Sequence, residues 1–89
     1  MTEQDETRRK RLYMRSIRRG IKEMDLILAA FADRHLGDMT AAELDLYDRL
    51  LSENDQDLYQ WVSGQVAPPD PYTALVARIA KGAAGVTQP

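Results

Sequence analysis

No cysteine occurs in the 89 residues, so neither a disulfide framework nor a thiolate metal site can form, and a reducing compartment suits the chain. His35 is the one histidine. A metal centre normally gathers several His, Cys or carboxylate ligands, so a catalytic metal is not expected, and His35 reads as a surface residue compatible with a helix C-terminus. No apolar run reaches the roughly eighteen residues that would suggest a membrane span, so direct membrane insertion is not expected.

Catalytic constellations are missing too. The five glycines are scattered rather than gathered in a phosphate-binding loop. Ser16, Ser52 and Ser63 have no histidine placed to relay a proton, and carboxylates such as Asp55 and Asp57 on a small acidic chain more often cap helices or face water than do acid–base work. The reading is a protein that is not an enzyme. Residues 1–10 carry Glu3, Asp5 and Glu6 and are followed by no continuous apolar region, unlike a secretory signal or an acid-poor presequence. A mature start and a cytoplasmic location are therefore expected.

What is present is charge of uneven distribution. The net charge of -2 hides a segment from Arg8 to Lys22 with eight bases and no acid, followed from Leu26 onward by nine acids and four bases. Apolar residues recur at three- and four-residue spacings, which predicts an all-α chain: a compact five-helix bundle in a single domain over residues 1–82, with residues 83–89 as a flexible tail.

The first helix is expected from about Glu6 to Arg19, with Leu12, Tyr13 and Ile17 inward and Gly20 as a left-handed C-terminal glycine. Met24, Ile27, Leu28 and Phe31 mark a central second helix that stops at Gly37. Thr40 and Glu43 form a capping box ahead of a third helix with Leu44, Tyr47 and Leu51 inside. Asn54 or Asp55 caps a short fourth helix carrying Leu58, Trp61 and Val62, and Gly64 ends it. Asp70 followed by Pro71 reads as the cap and first position of a fifth helix with Tyr72, Leu75, Val76 and Ile79 inward, closing at Lys81 and Gly82.

The segment Arg18-Arg19-Gly20-Ile21-Lys22-Glu23-Met24-Asp25 concentrates charge around a glycine. In a continuous helical register Arg19 and Glu23 share a face, while Arg15, Arg18, Arg19 and Lys22 crowd like charges at a few tenths of a kcal/mol per pair. Two readings stand. Either Gly20 is a cap and the arginines a solvated helix end, or Gly20 admits another backbone closely while Arg19 and Glu23 offer a donor and an acceptor to a partner.

Arg19-Gly20-x-x-Glu23 resembles the Arg-Gly-x-x-Glu signature of the succinate dehydrogenase assembly factor 2 family, also called FAD assembly factors, of bacteria and mitochondria. The resemblance extends through Asp25 and the downstream run Asp55-Gln56-Asp57-Leu58-Tyr59-Gln60-Trp61, and covers about Arg8 to Lys81. Departures are Gln56, where a proline often separates the two acids, and the longer basic run Arg8, Arg9, Lys10 and Arg11. The resemblance implies a five-helix bundle that binds the flavoprotein subunit of succinate dehydrogenase, and in some bacteria that of fumarate reductase, and promotes covalent linkage of FAD to a histidine there. It implies docking through Arg19, Gly20 and Glu23, with Arg18, Lys22, Asp25, Asp55 and Asp57 as further partner-binding positions. Trp61 reads as core. No permanently bound cofactor, no nucleic acid and a monomer are expected. The competing readings are a small helical nucleic-acid binder, suggested by the basic segment, and a generic helical interaction module.

Overall fold

The computed structural model describes residues 4–87, with side chains through residue 83. Its elements are α1 (Asp5–Ser16), α2 (Lys22–His35), a 3₁₀ turn (Leu36–Asp38), α3 (Ala41–Leu51), α4 (Asp55–Val62) and α5 (Thr73–Thr87). No strand occurs among the described residues. The all-α architecture predicted from periodicity is the one found.

Helix α2 is the centre. Its stripe of Met24, Ile27, Leu28, Phe31 and Ala32 is buried, and it packs against α1, α4 and α5. The facing surfaces supply Leu12 from α1, Leu58 and Val62 from α4, and Leu75, Val76 and Ile79 from α5. Helix α3, which packs against α1, contributes Leu44, Tyr47, Leu50 and Leu51. Three- and four-residue spacing puts each set on one face of its helix, and removing these faces from water is the main favourable term in folding.

Local signals set two helix starts. The Thr40 hydroxyl accepts from the Glu43 amide at 3.2 Å and the Glu43 carboxylate accepts from the Thr40 amide at 2.8 Å, completing the capping box. That backbone hydrogen bond from Thr40 is the main reason the Glu43 carboxyl is held below its ordinary value. Asn54 caps α4 by accepting from the Gln56 amide at 2.8 Å. Gly64 ends α4 with a φ of 83°, a conformation that favours glycine.

Three boundaries differ from the sequence expectation. Helix α1 stops at Ser16, not Arg19, and Gly20 does not take a left-handed φ. The chain is drawn out of helix there because Arg19 is held elsewhere, as described below. Helix α5 starts at Thr73, because Asp70 accepts from the Thr73 hydroxyl at 3.1 Å and the Tyr72 amide donates to the Pro69 carbonyl at 2.9 Å, organising a turn ahead of the helix. At its other end α5 continues through Thr87, past the expected stop at Lys81 and Gly82, and Ala83, one turn beyond Ile79, is buried in the core. Positions 88 and 89 of the expected tail lie outside the described residues.

Two interactions were not foreseen in the sequence. Ser16 is fully buried, donates to the Leu12 carbonyl at 2.8 Å, and lies 2.6 Å from the hydroxyl of Tyr47, which is also fully buried. Because the serine proton is committed to Leu12, Tyr47 is the donor of the pair. Burial pushes the Tyr47 phenol up to about 12, which keeps that proton in place. The second is the disposition of the basic limb. Arg8 pairs with Asp45, Arg11 reaches Asp48 at 2.9 Å, and Arg15 pairs with Asp48 and donates to the Ser52 hydroxyl at 3.0 Å. The bases of α1 thus lie along the acidic edge of α3, and the Asp48 carboxyl is held below the usual range chiefly by its hydrogen bond from Arg11.

With ordinary values of 3.8 for Asp48 and 4.5 for Glu43, the unfolded chain takes up protons at these sites before the folded one does. The stability they add is present above those values and is lost as pH falls through the lower folded ones. Urea midpoints should therefore drop between about pH 5 and pH 3, and drop less steeply in Asp48→Asn. An identical pH slope in that variant would show that the Arg11–Asp48–Arg15 cluster contributes nothing.

Candidate docking site at the α1–α2 junction

Between Ile17 and Ile21 the chain is non-helical and runs beside the α3–α4 connection. The Arg19 guanidinium donates through Nε to Asp55 Oδ1 at 2.6 Å, through Nη1 to the Leu51 carbonyl at 2.8 Å and through Nη2 to the Glu53 carbonyl at 3.2 Å. Its side chain is 9% exposed. The Arg19 amide donates to Asp25 in the first turn of α2, and the Gly20 amide donates to Asp55 Oδ2 at 2.5 Å. One cation and two carboxylates therefore lock two connections together.

Each charge sits where a helix dipole favours it. Arg19 lies at the C-terminal end of α3, whose last carbonyls have no partner within the helix, while Asp25 and Asp55 lie in the first turns of α2 and α4. Asn54 takes the capping role at α4, leaving the Asp55 carboxylate to reach across to the junction. Glu53 extends the arrangement: its backbone carbonyl holds Arg19, and its carboxylate accepts from the Tyr72 hydroxyl at 2.9 Å. Burial and then Glu53 hold the Tyr72 phenol above its ordinary value. Tyr72 in turn stacks on Trp61 at 5.9 Å between ring centroids, and Trp61 packs against the core as expected.

The geometry differs from the predicted one in two respects. Arg19 and Glu23 do not share a helical face, because Arg19 precedes α2 in non-helical chain and its guanidinium faces inward. Gly20 does admit a close neighbour, but the neighbour is the chain's own Asp55: a Cβ at position 20 would come 3.0 Å from Asp55 Oδ2. Arg19, Gly20, Asp25 and Asp55 thus form one cluster. Arg18, Gly20 and Lys22 are exposed and Glu23 is half-buried; among the described residues none of Arg18, Lys22 and Glu23 has an ion-pair or side-chain hydrogen-bond partner. Asp57, exposed on α4, takes no part in the network.

No cluster of three or more His, Cys, Asp or Glu able to hold a metal is found among the described residues, and none of their helices is long and apolar enough to cross a membrane. Of the eight bases in the basic segment, Arg8, Arg9, Arg11, Arg15 and Arg19 bond to carboxylates or carbonyls of their own chain.

The chain is a small all-α protein whose most organised polar network shapes an exposed junction between two helices. A family model described as the flavinator of succinate dehydrogenase matches residues 10–83, and the chain belongs to that family. It is 52% identical over 58 residues to the succinate dehydrogenase assembly factor 2, mitochondrial, of Scheffersomyces stipitis, an alignment covering 65% of this chain and 39% of the relative. It is 49% identical over 63 residues to the protein of the same name from Candida glabrata, covering 71% and 41%. To assembly factor 2-B, mitochondrial, of Drosophila mojavensis it is 38% identical over 78 residues, covering 85% and 50%. The chain spans half or less of the length of these relatives. Assembly factors, not enzymes, are what these names describe, in agreement with the sequence. The expected cytoplasmic location is overturned, because the relatives are named as mitochondrial proteins.

Removing either partner of a nearly buried charged pair leaves the other unsatisfied, at a cost of about 2–4 kcal/mol. Arg19→Ala and Asp55→Ala should each lose about that much in urea unfolding, and the double variant should lose less than the sum. Arg19→Lys should not restore stability, since an ammonium cannot reproduce the guanidinium fork. Strict additivity of the two single losses would show that the pair is not coupled.

Proposed function

We propose that this chain binds the flavoprotein subunit of succinate dehydrogenase and promotes covalent attachment of FAD to a histidine of that subunit, with the flavoprotein subunit of fumarate reductase as a second client. The observation that carries the reading is the family match over residues 10–83, which spans the junction bearing Arg19, Gly20 and Glu23. In this reading the chain acts as a monomer and holds no cofactor of its own; FAD belongs to the client.

The junction divides the labour. Arg19, Asp25 and Asp55 hold the loop in shape, and Arg18, Gly20, Lys22 and Glu23 meet the client, with Asp57 at the margin. Among the described residues, Glu23 is an acceptor with no hydrogen-bond donor, and Arg18 and Lys22 are cations with no acceptor. Docking there would hold the client in a conformation that brings histidine and flavin into reacting geometry, and the flavin's own chemistry completes the bond. The contribution is positioning, which converts an improbable encounter into a fixed one.

The test is in-gel flavin fluorescence of the denatured flavoprotein from cells with and without the gene. The covalent signal should fall without it, return with the wild-type chain, and fail to return with Gly20→Arg. Glu23→Ala should lower the flavin yield while its unfolding free energy stays within about 0.5 kcal/mol of wild type. An undiminished signal in cells lacking the gene would sink the proposal.

A further inference from the structure

Two shallow grooves run along the outer side of α1 and share Met14, which is 41% exposed. One, of about 490 Å³, is lined by Arg11, Met14, Arg15, Arg18 and Arg19 and so leads into the docking junction. The other, of about 480 Å³, continues past Met14 between Tyr13, Leu36 and Gly37, flanked by Arg9 and Lys10. This second hollow is built in advance. Arg9 donates to the carbonyls of Leu36 at 3.0 Å and Met39 at 2.8 Å, pinning the 3₁₀ turn to α1 and turning its charge toward the chain, so that its aliphatic stem remains as wall.

Gly37 is a second, independent sign. A Cβ at this position would meet nothing within 4 Å, and its φ is not left-handed, so neither packing nor backbone conformation requires glycine there. The bare backbone leaves the hollow open. An adaptable thioether beside an aromatic ring and a leucine suits an apolar side chain arriving from outside.

We infer that the two grooves form one docking track for a segment of the flavoprotein client, which seats an apolar side chain against Tyr13, Met14 and Leu36 and sets a carboxylate against Arg18. The inference rests on the proposed function and extends its surface from the junction along α1. Charge selects this occupant over a second copy of the chain. The junction groove is lined by four arginines against two carboxylates, since Asp48 serves both Arg11 and Arg15 and Asp55 serves Arg19, and among the described residues Arg18 is left without an acid. A twofold contact would bring two such cationic faces together, whereas a carboxylate-bearing segment complements them.

The experiment titrates purified flavoprotein subunit lacking covalent flavin with the full chain and three variants. Gly37→Leu, which fills the hollow, and Met14→Asp, which charges it, should each weaken binding by about tenfold or more, while Met14→Leu should bind like wild type. Both altered positions are exposed, and thermal unfolding identifies any variant that has lost its fold; should Gly37→Leu do so, Met14→Asp decides. Wild-type affinity in the folded variants overturns the track and leaves the proposed function standing. No binding by the wild-type chain overturns both. A wild-type dimer in sedimentation that Met14→Asp dissociates assigns the groove to a second copy and overturns the inference.

Discussion

Arg19 stands where three segments meet: the end of α3, the start of α4 and the connection from α1 to α2. A guanidinium presents its donors in a rigid planar fork, so satisfying Asp55 and the carbonyls of Leu51 and Glu53 at once fixes its orientation as well as its position. Much else follows from that placement. Helix α1 ends early so that the chain can deliver Arg19 inward, and residue 20 is a glycine against which the Asp55 carboxylate lies. Asp25 receives the backbone amide freed by the break in the helix. Through Glu53 the same arrangement reaches Tyr72 and Trp61, so the junction is continuous with the packing of α4 on α5.

A second level of organisation is electrostatic. The basic N-terminal limb and the acidic body look like separate functional surfaces along the sequence, yet folding lays α1 against α3 and pairs much of one with the other. Exposed pairs of this kind contribute little singly, about 0–1 kcal/mol each. Their effect is to set the bases of α1 beside the acids of α3, while among the described residues Arg18, Lys22 and Glu23 keep no ion-pair partner at the junction. Of these, Arg18 stands on the connection that Arg19 anchors from beneath, and Lys22 and Glu23 stand in the first turn of α2.

Legibility varied with the range of the forces involved. The stripe on α2, the capping box at Thr40 and Glu43, the Asn54 cap and the Gly64 stop depend on residues within about four positions of one another, and all are as the sequence indicates. The end of α1 is not, because it is set by bonds from Arg19 to residues more than thirty positions away, while the start of α5 was misplaced within a local turn, where Asp70 bonds to Thr73 instead of leading directly into helix at Pro71. The Ser16–Tyr47 pair was equally hidden: a serine between an arginine and an isoleucine carries no sign that it will be fully buried opposite a phenol on another helix.

The sequence by itself determined the helical class, the central helix and the membership of residues around Arg19, Gly20 and Glu23 in a recognisable signature. Only the tertiary structure decided where each member of that signature sits. Arg19 and Asp55 are 36 positions apart, and no local rule joins them. Whether a surface arginine faces outward to a partner or inward to its own chain depends on whether carbonyls and a carboxylate are waiting at the right distance. That is settled when α3 and α4 pack, because only then do the orphan carbonyls at the end of one helix and the acid at the start of the next come together around a single charge.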